Sequence, residues 1–195
     1  MPILCSRIFY IVFKALIYLE LRKAAMLDQG GCTMEFTHFD KEGKAQMVDV
    51  SGKTPSIREA VASGSVRMEP ETMRLIKEGS IQKGDVFGVA RIAGIMAAKK
   101  TAELIPMCHP LNVAYAAVDF SFNETAGTID IKATVKISGQ TGVEMEALVA
   151  VSSAALTIYD MCKSADKEMV ISDIMLLEKR GGKSGEFRRN GQKTA

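Results

Sequence analysis

The chain contains no tryptophan, two histidines and four cysteines in 195 residues. Cys5, Cys32, Cys108 and Cys162 stand far apart and form no C-x-x-C pair. That spacing argues against a zinc knuckle, a thioredoxin-type site and a disulfide scaffold, and favours a reducing, cytoplasmic setting. Aromatic residues make up only 6%, so the core must come from Val, Ile, Leu, Ala and Met. At 47% hydrophobic and 25% charged, the composition is globular and excludes global disorder. The length suits about one domain, enough to bury a core without staples. An excess of one charge sign is also missing, since the formal net charge is +2. Of 25 basic and 23 acidic residues, four and two fall in residues 1–33, leaving 21 of each from Met34 onward. Six basic residues against one Glu then crowd the stretch from Lys179 to the end, so the interior of the body is net acidic. A general nucleic-acid binder would present a broad basic face.

Residues 1–33 read as a leader outside the fold. Residues 3–21 are rich in Ile, Leu, Phe and Tyr but are interrupted by Arg7, Lys14 and Glu20. Their longest charge-free run, Ile8–Phe13, falls short of the roughly 20 apolar residues of a membrane span. Lys14 breaks the apolar centre that a secretory signal needs, and Lys23-Ala24-Ala25 is a poor cleavage site. The preferred reading starts the protein at Met34, with no membrane association. A targeting or membrane-associating segment and an extra helix packed on the body are the alternatives.

The body alternates between two hydrophobic periods. Ser56-x-x-Glu59 fits a helix capping box, but Gly64 and the extended character of 63–68 favour a strand from Arg58 to Met68. Pro70 opens a short helix that Gly79 ends. Asp85 caps a longer one running to about Leu104, with Val86, Val89, Ala93, Met96 and Ala97 at helical spacing. Two prolines make 105–111 a loop. Val113–Phe122 and Ile129–Ile137 alternate around a turn at Asn123–Gly127, giving a hairpin with one wet face. A helix follows from Val143 to Ala165, then a strand from Met169 to Leu177. Residues 181–195 form a Gly-rich, basic tail that is expected to be mobile. The order strand, helix, strand, strand, helix, strand is the split βαββαβ pattern of a ferredoxin-like α+β fold, with an antiparallel sheet packed by helices. It spans residues 34–180.

Several polar residues have chemical potential. His109 sits in the Pro-locked loop beside Cys108, whereas His38 reads as an ordinary loop histidine. Glu144 and Glu146 lie in a first helical turn, where carboxylates commonly serve the macrodipole. Asp160 and Lys163 are one turn apart amid apolar neighbours. Glu146, Ala150, Ser153, Thr157 and Asp160 share a stripe, which suggests a ligand face or a tight interface. Glu146 and Asp160 are fourteen residues apart, about 21 Å of helix. One compact substrate cannot easily touch both ends within a subunit, so either only one end is catalytic or two subunits each lend an end to a shared site. Lys83 stands at a helix mouth, where anions bind. Gly181-Gly-Lys-Ser-Gly185 lacks the Walker spacing and is no P-loop.

Six stretches occur in order: Lys83–Phe87, Ala90–Ile95, Leu104–Leu111, Gly142–Leu148, Ala155–Lys163 and Gly181–Gly185. Together they resemble the MoaC family over roughly Glu35 to Phe187, with Met107 where Leu is usual. The resemblance implies a cyclic pyranopterin monophosphate synthase of molybdenum cofactor biosynthesis, a phosphorus–oxygen lyase. Its substrate would be a cyclised dihydroguanosine triphosphate supplied by a radical-SAM GTP cyclase, and its by-product diphosphate. It also implies a homohexamer of three dimers with sites at subunit interfaces. Residue by residue, substrate contacts fall on Met107, Cys108, His109, Met145 and Glu146, with Glu144, Lys179 and Arg58 as weaker candidates. The principal catalytic position falls on Asp160, with Lys83 and Lys163 beside it. Lysines suit the charge that builds as diphosphate leaves. Asp160 suits the base, and Lys163 or His109 the acid. No carboxylate cluster calls for a metal held by the protein; Mg²⁺ would come with the triphosphate.

Two non-enzymatic readings compete. An RNA-binding sheet would stack bases on Tyr115, Phe120 and Phe122, against which stand Asp119 and the neutral body. A purely structural oligomer would explain the small-residue helices but not the Cys-His loop.

Overall fold

The computed structural model of the protein describes residue 42 and residues 44–183 and 185–190. The leader 1–33 and His38 lie outside the described residues. The first strand, β1, runs over Ser56–Arg67, so the extended reading prevails over the capping box. Its alternate residues Ala60, Ala62, Gly64 and Val66 are all buried. Helix α1 (Pro70–Lys77) starts with proline in its first turn and buries Met73 and Ile76.

The long helix expected from Asp85 to Leu104 is two helices, α2 (Val86–Ala98) and α3 (Thr101–Leu104). Asp85 caps the first by accepting from the Gly88 N–H at 2.9 Å. The break has a local cause. The Thr101 hydroxyl donates to the Ala98 carbonyl at 3.1 Å, competing for the group that a continuous helix would bond. Lys100 has φ −115° and ψ 16°, outside helical geometry.

Strands β2 (Tyr115–Asn123) and β3 (Thr128–Gly139) form the expected hairpin, with β2 starting two residues later than its alternation suggests. The inward set Ile129, Ile131, Ala133, Val135 and Ile137 is buried throughout. Helix α4 (Glu144–Cys162) is shorter than expected at both ends. Strand β4 (Val170–Arg180) carries two irregularities opposite β1. The tail expected to be mobile contributes a fifth strand, β5 (Phe187–Arg188), paired with Glu178 and Lys179. The Arg189 side chain also donates to the Leu176 carbonyl at 2.9 Å.

The sheet order is β2-β3-β1-β4-β5, with every neighbouring pair antiparallel. An α/β architecture with helices packed on an antiparallel sheet is the expected α+β class, and the order of the first four strands is compatible with the ferredoxin-like pattern. Close approach explains two glycines. A methyl group at Gly64 would lie 2.6 Å from Val151 Cγ1, and one at Gly94 would lie 2.9 Å from the Ala150 carbonyl oxygen. The small residues of α4 are thus used to bring α2 and β1 close within a single chain.

Helix α4 is long and apolar enough to cross a membrane by length and composition alone. Its residues Ala147, Ala150, Val151, Ala154, Ala155 and Ile158 are wholly buried in the core. Phe120 stacks on Phe87 of α2 at 4.7 Å between ring centroids, and Phe122 packs on the same ring. Two of the three aromatics of the RNA reading therefore belong to the helix–sheet contact and are not available for base stacking.

Candidate functional site

The two ends of α4 carry separate polar clusters. At its C-terminal end Asp160 meets two ammonium groups. Lys163, the residue that caps α4, places Nζ 2.7 Å from Asp160 Oδ1. Lys83 comes from the turn before α2 and places Nζ 2.7 Å from Asp160 Oδ2, and equally close to the Asp160 carbonyl oxygen. Hydrogen bonds from Lys163 and then Lys83 lower the Asp160 pKa to about 2. The same pairing raises that of Lys163. At neutral pH the cluster is a carboxylate between two cations, with a net charge of +1, and it is open to solvent. Lys83 lies away from an open helix mouth. The Asp85 carboxylate occupies the α2 N-terminus, and Lys83 spans to α4 instead.

At the N-terminal end of α4 the environment is drier. Glu146 is 3% exposed, and burial, reinforced by the Glu144 charge, raises its pKa to about 7. A carboxyl in that state can hold or release a proton near neutrality. Cys108 lies close enough to feel Glu146. Burial, and then the Glu146 charge, push its thiol up, so it is a protonated neighbour rather than a nucleophile. Glu144 pairs with Lys179 of β4 at 3.2 Å, both half-buried. Arg58 of β1 donates through Nε to the Gly139 carbonyl at 2.9 Å and through Nη2 to the Gln140 carbonyl at 3.0 Å. His109 Nε2 lies 2.8 Å from the Val48 carbonyl oxygen. Met107 is half-buried and Met145 exposed.

Among the described residues no group of three or more His, Cys, Asp or Glu side chains can hold a metal ion. What the surface offers is a pair of cations and a buried carboxyl. That combination fits anion neutralisation and proton movement.

A family model described as the MoaC family matches residues 47–182. The chain belongs to the MoaC family. A protein of Desulfitobacterium hafniense named cyclic pyranopterin monophosphate synthase is 61% identical over 156 residues, covering 80% of this chain and 95% of that protein. A Thermoanaerobacter protein of the same name is 60% identical over 156 residues, 80% of this chain and 99% of its own length. One from Chloroflexus aurantiacus, also so named, is 59% identical over 155 residues, at 80% and 95%.

Within this MoaC chain, the structure joins Lys83, Asp160 and Lys163 at one end of α4. It gathers Glu144, Glu146, Cys108 and Lys179 toward the other. It does not bring the two ends together in a single subunit. Sequence reasoning missed two contributors at the second end. The Gln140 side chain donates to the Lys53 carbonyl at 2.7 Å, and the segment around Val48 meets His109. Both contacts use backbone carbonyls, for which a sequence carries no signal.

Proposed function

We propose that this chain converts a cyclised dihydroguanosine triphosphate into cyclic pyranopterin monophosphate, releasing diphosphate, as a lyase of molybdenum cofactor biosynthesis. The observation that carries the reading is the Lys83–Asp160–Lys163 cluster, in a chain about 60% identical to proteins named for that synthase. Two ammonium groups fixed by one carboxylate offer a preformed site for the charge that develops on a departing diphosphate. Asp160 keeps both lysines in place. It becomes an effective base only when the substrate's phosphates draw the lysines away, because its proton affinity rises as each cation leaves. Glu146 supplies a carboxyl able to exchange a proton near pH 7. Met107, Cys108, His109 and Met145 contact the substrate beside it, with Glu144, Lys179 and Arg58 around them.

The enzyme works as a hexamer of three dimers, so that the Asp160 end of one subunit completes the Glu146 end of another. Ile92 and Met96 on α2 and Leu156 on α4 are exposed apolar side chains that such an assembly would cover. A radical-SAM GTP cyclase supplies the substrate, in the cytoplasm, without nucleic acid or membrane. The protein holds no cofactor of its own, and Mg²⁺ accompanies the triphosphate.

The test is direct. The full chain is incubated with the product of a radical-SAM GTP cyclase, and diphosphate is measured. Release at a rate comparable to the Desulfitobacterium relative is expected. A folded chain that releases none beside an active relative would overturn the reading.

A further inference from the structure

The segment before β1 crosses the loop that carries His109 and is pinned there. His109 Nε2 lies 2.8 Å from the Val48 carbonyl oxygen. Asp49 folds the next residues by accepting from the Ser51 N–H at 2.9 Å, and the Lys53 N–H closes a turn on the Val50 carbonyl at 2.9 Å. Gln140 then donates to the Lys53 carbonyl at 2.7 Å, while its own carbonyl takes a hydrogen bond from Arg58. Two side chains flanking the Glu146 end of α4 thus hold residues 47–53 at both ends.

A carbonyl oxygen can only accept, so Nε2 must carry the ring proton whenever this contact exists. In the neutral ring Nδ1 is then the lone-pair nitrogen, and no described residue hydrogen-bonds to it. The partner of one imidazole nitrogen sets what the other can do. We propose that residues 47–53 are a strap whose Val48 carbonyl fixes the tautomer and orientation of His109, leaving Nδ1 to accept a hydrogen bond from an N–H or O–H of the substrate. Val48 is in this account a positioning residue acting through its backbone. The proposal rests on His109 being a substrate contact, and its first test does not.

With only two histidines in the chain, His38→Asn leaves His109 as the sole imidazole, and ¹⁵N-labelled full-length protein reports its tautomer without substrate. The expected spectrum of the neutral ring has Nε2 protonated and Nδ1 unprotonated. It also has a solvent-protected Nε2–H proton in nuclear Overhauser contact with residues 48 and 49. A protonated Nδ1, or an Nε2–H that exchanges too fast to observe, overturns the clamp whatever the enzyme does.

The second test reads the ring's orientation through turnover. Asparagine places its amide near the position of Nδ1, and glutamine places its amide near that of Nε2. His109→Asn is expected to retain at least tenfold more kcat than His109→Gln, even though glutamine can still donate to Val48. The reverse order would put Nε2 against the substrate and overturn the assignment. A glycine inserted after Val48, which slackens the strap, should lower kcat about tenfold and return the ring to solvent exchange. Unchanged kcat with a mobile ring would also overturn it. Absence of diphosphate release from the unaltered chain bears on the proposed reaction, and the spectrum still decides the clamp.

Discussion

Asp160 and Glu146 are both carboxylates of one helix, and their surroundings push them in opposite directions. Lys163 and Lys83 hold Asp160 down to about 2, whereas burial lifts Glu146 to about 7. In the proposed reaction two such groups would divide proton traffic from charge placement. Asp160→Asn keeps the shape but releases both lysines. Diphosphate release should fall at least 100-fold, while the melting temperature moves little because the site is exposed. Glu146 makes a pH prediction. Its folded pKa lies above the ordinary 4.5, so its contribution to stability is complete below about 4.5 and is lost as pH rises through about 7. The shift corresponds to roughly 3 kcal/mol. Urea midpoints at pH 5 and pH 8 should therefore differ by more in the wild type than in Glu146→Gln, where this loss disappears. Equal pH dependence in the two proteins would count against a protonated Glu146. Asp160 has the opposite sign, stabilising above its ordinary 3.8 and ceasing to do so as pH falls through about 2.

At the scale of elements, the α2–α4 contact decides where the site's two ends lie. A methyl at Gly94 would press on the Ala150 carbonyl, a backbone atom that cannot yield unless the whole helix moves. Gly94→Ala should cost roughly 1–3 kcal/mol by denaturant titration, and activity should fall with it as Lys83 is displaced from Asp160. Most elements here were legible in the sequence. β3 alternates without exception, Pro70 opens α1 and Asp85 caps α2, because each signal is local and the packing agrees with it. The break between α2 and α3 was hidden, since Lys99 and Lys100 are good helix formers and the cause is a hydroxyl reaching back to Ala98. β5 was hidden because a basic Gly-rich tail has no pattern of its own and becomes a strand only against β4. The small and polar stripe of α4 reads in sequence as a ligand face or a tight interface, and within the chain its Ala150 and Ser153 meet α2. The Lys163–Asp160 meeting followed from helical spacing. That Lys83 joins it depends on where α2 docks, a tertiary fact.

For the molecule as a whole, the proposed sharing of a site between two polar clusters about 21 Å apart along α4 is tested by complementation. Glu146→Ala and Asp160→Ala subunits, each inactive alone, should recover diphosphate release once mixed and reassembled, up to a fraction set by random pairing. Proven subunit exchange without recovery would place the whole reaction at one end of the helix. The position of β1 carries a consequence for biosynthesis. Among the described residues it is the first strand made, yet it lies between β3 and β4, and its pairing with β4 reaches Arg180. A ribosome must add 113 residues between Arg67 and Arg180, which takes about 6–23 s at ordinary elongation rates. Until Val170 is made, one flank of the future sheet centre has no partner, and the pairing is complete only with Arg180. A transcript cut short before residue 170 would yield a chain with that flank permanently bare, a substrate for chaperones and proteases rather than a smaller enzyme.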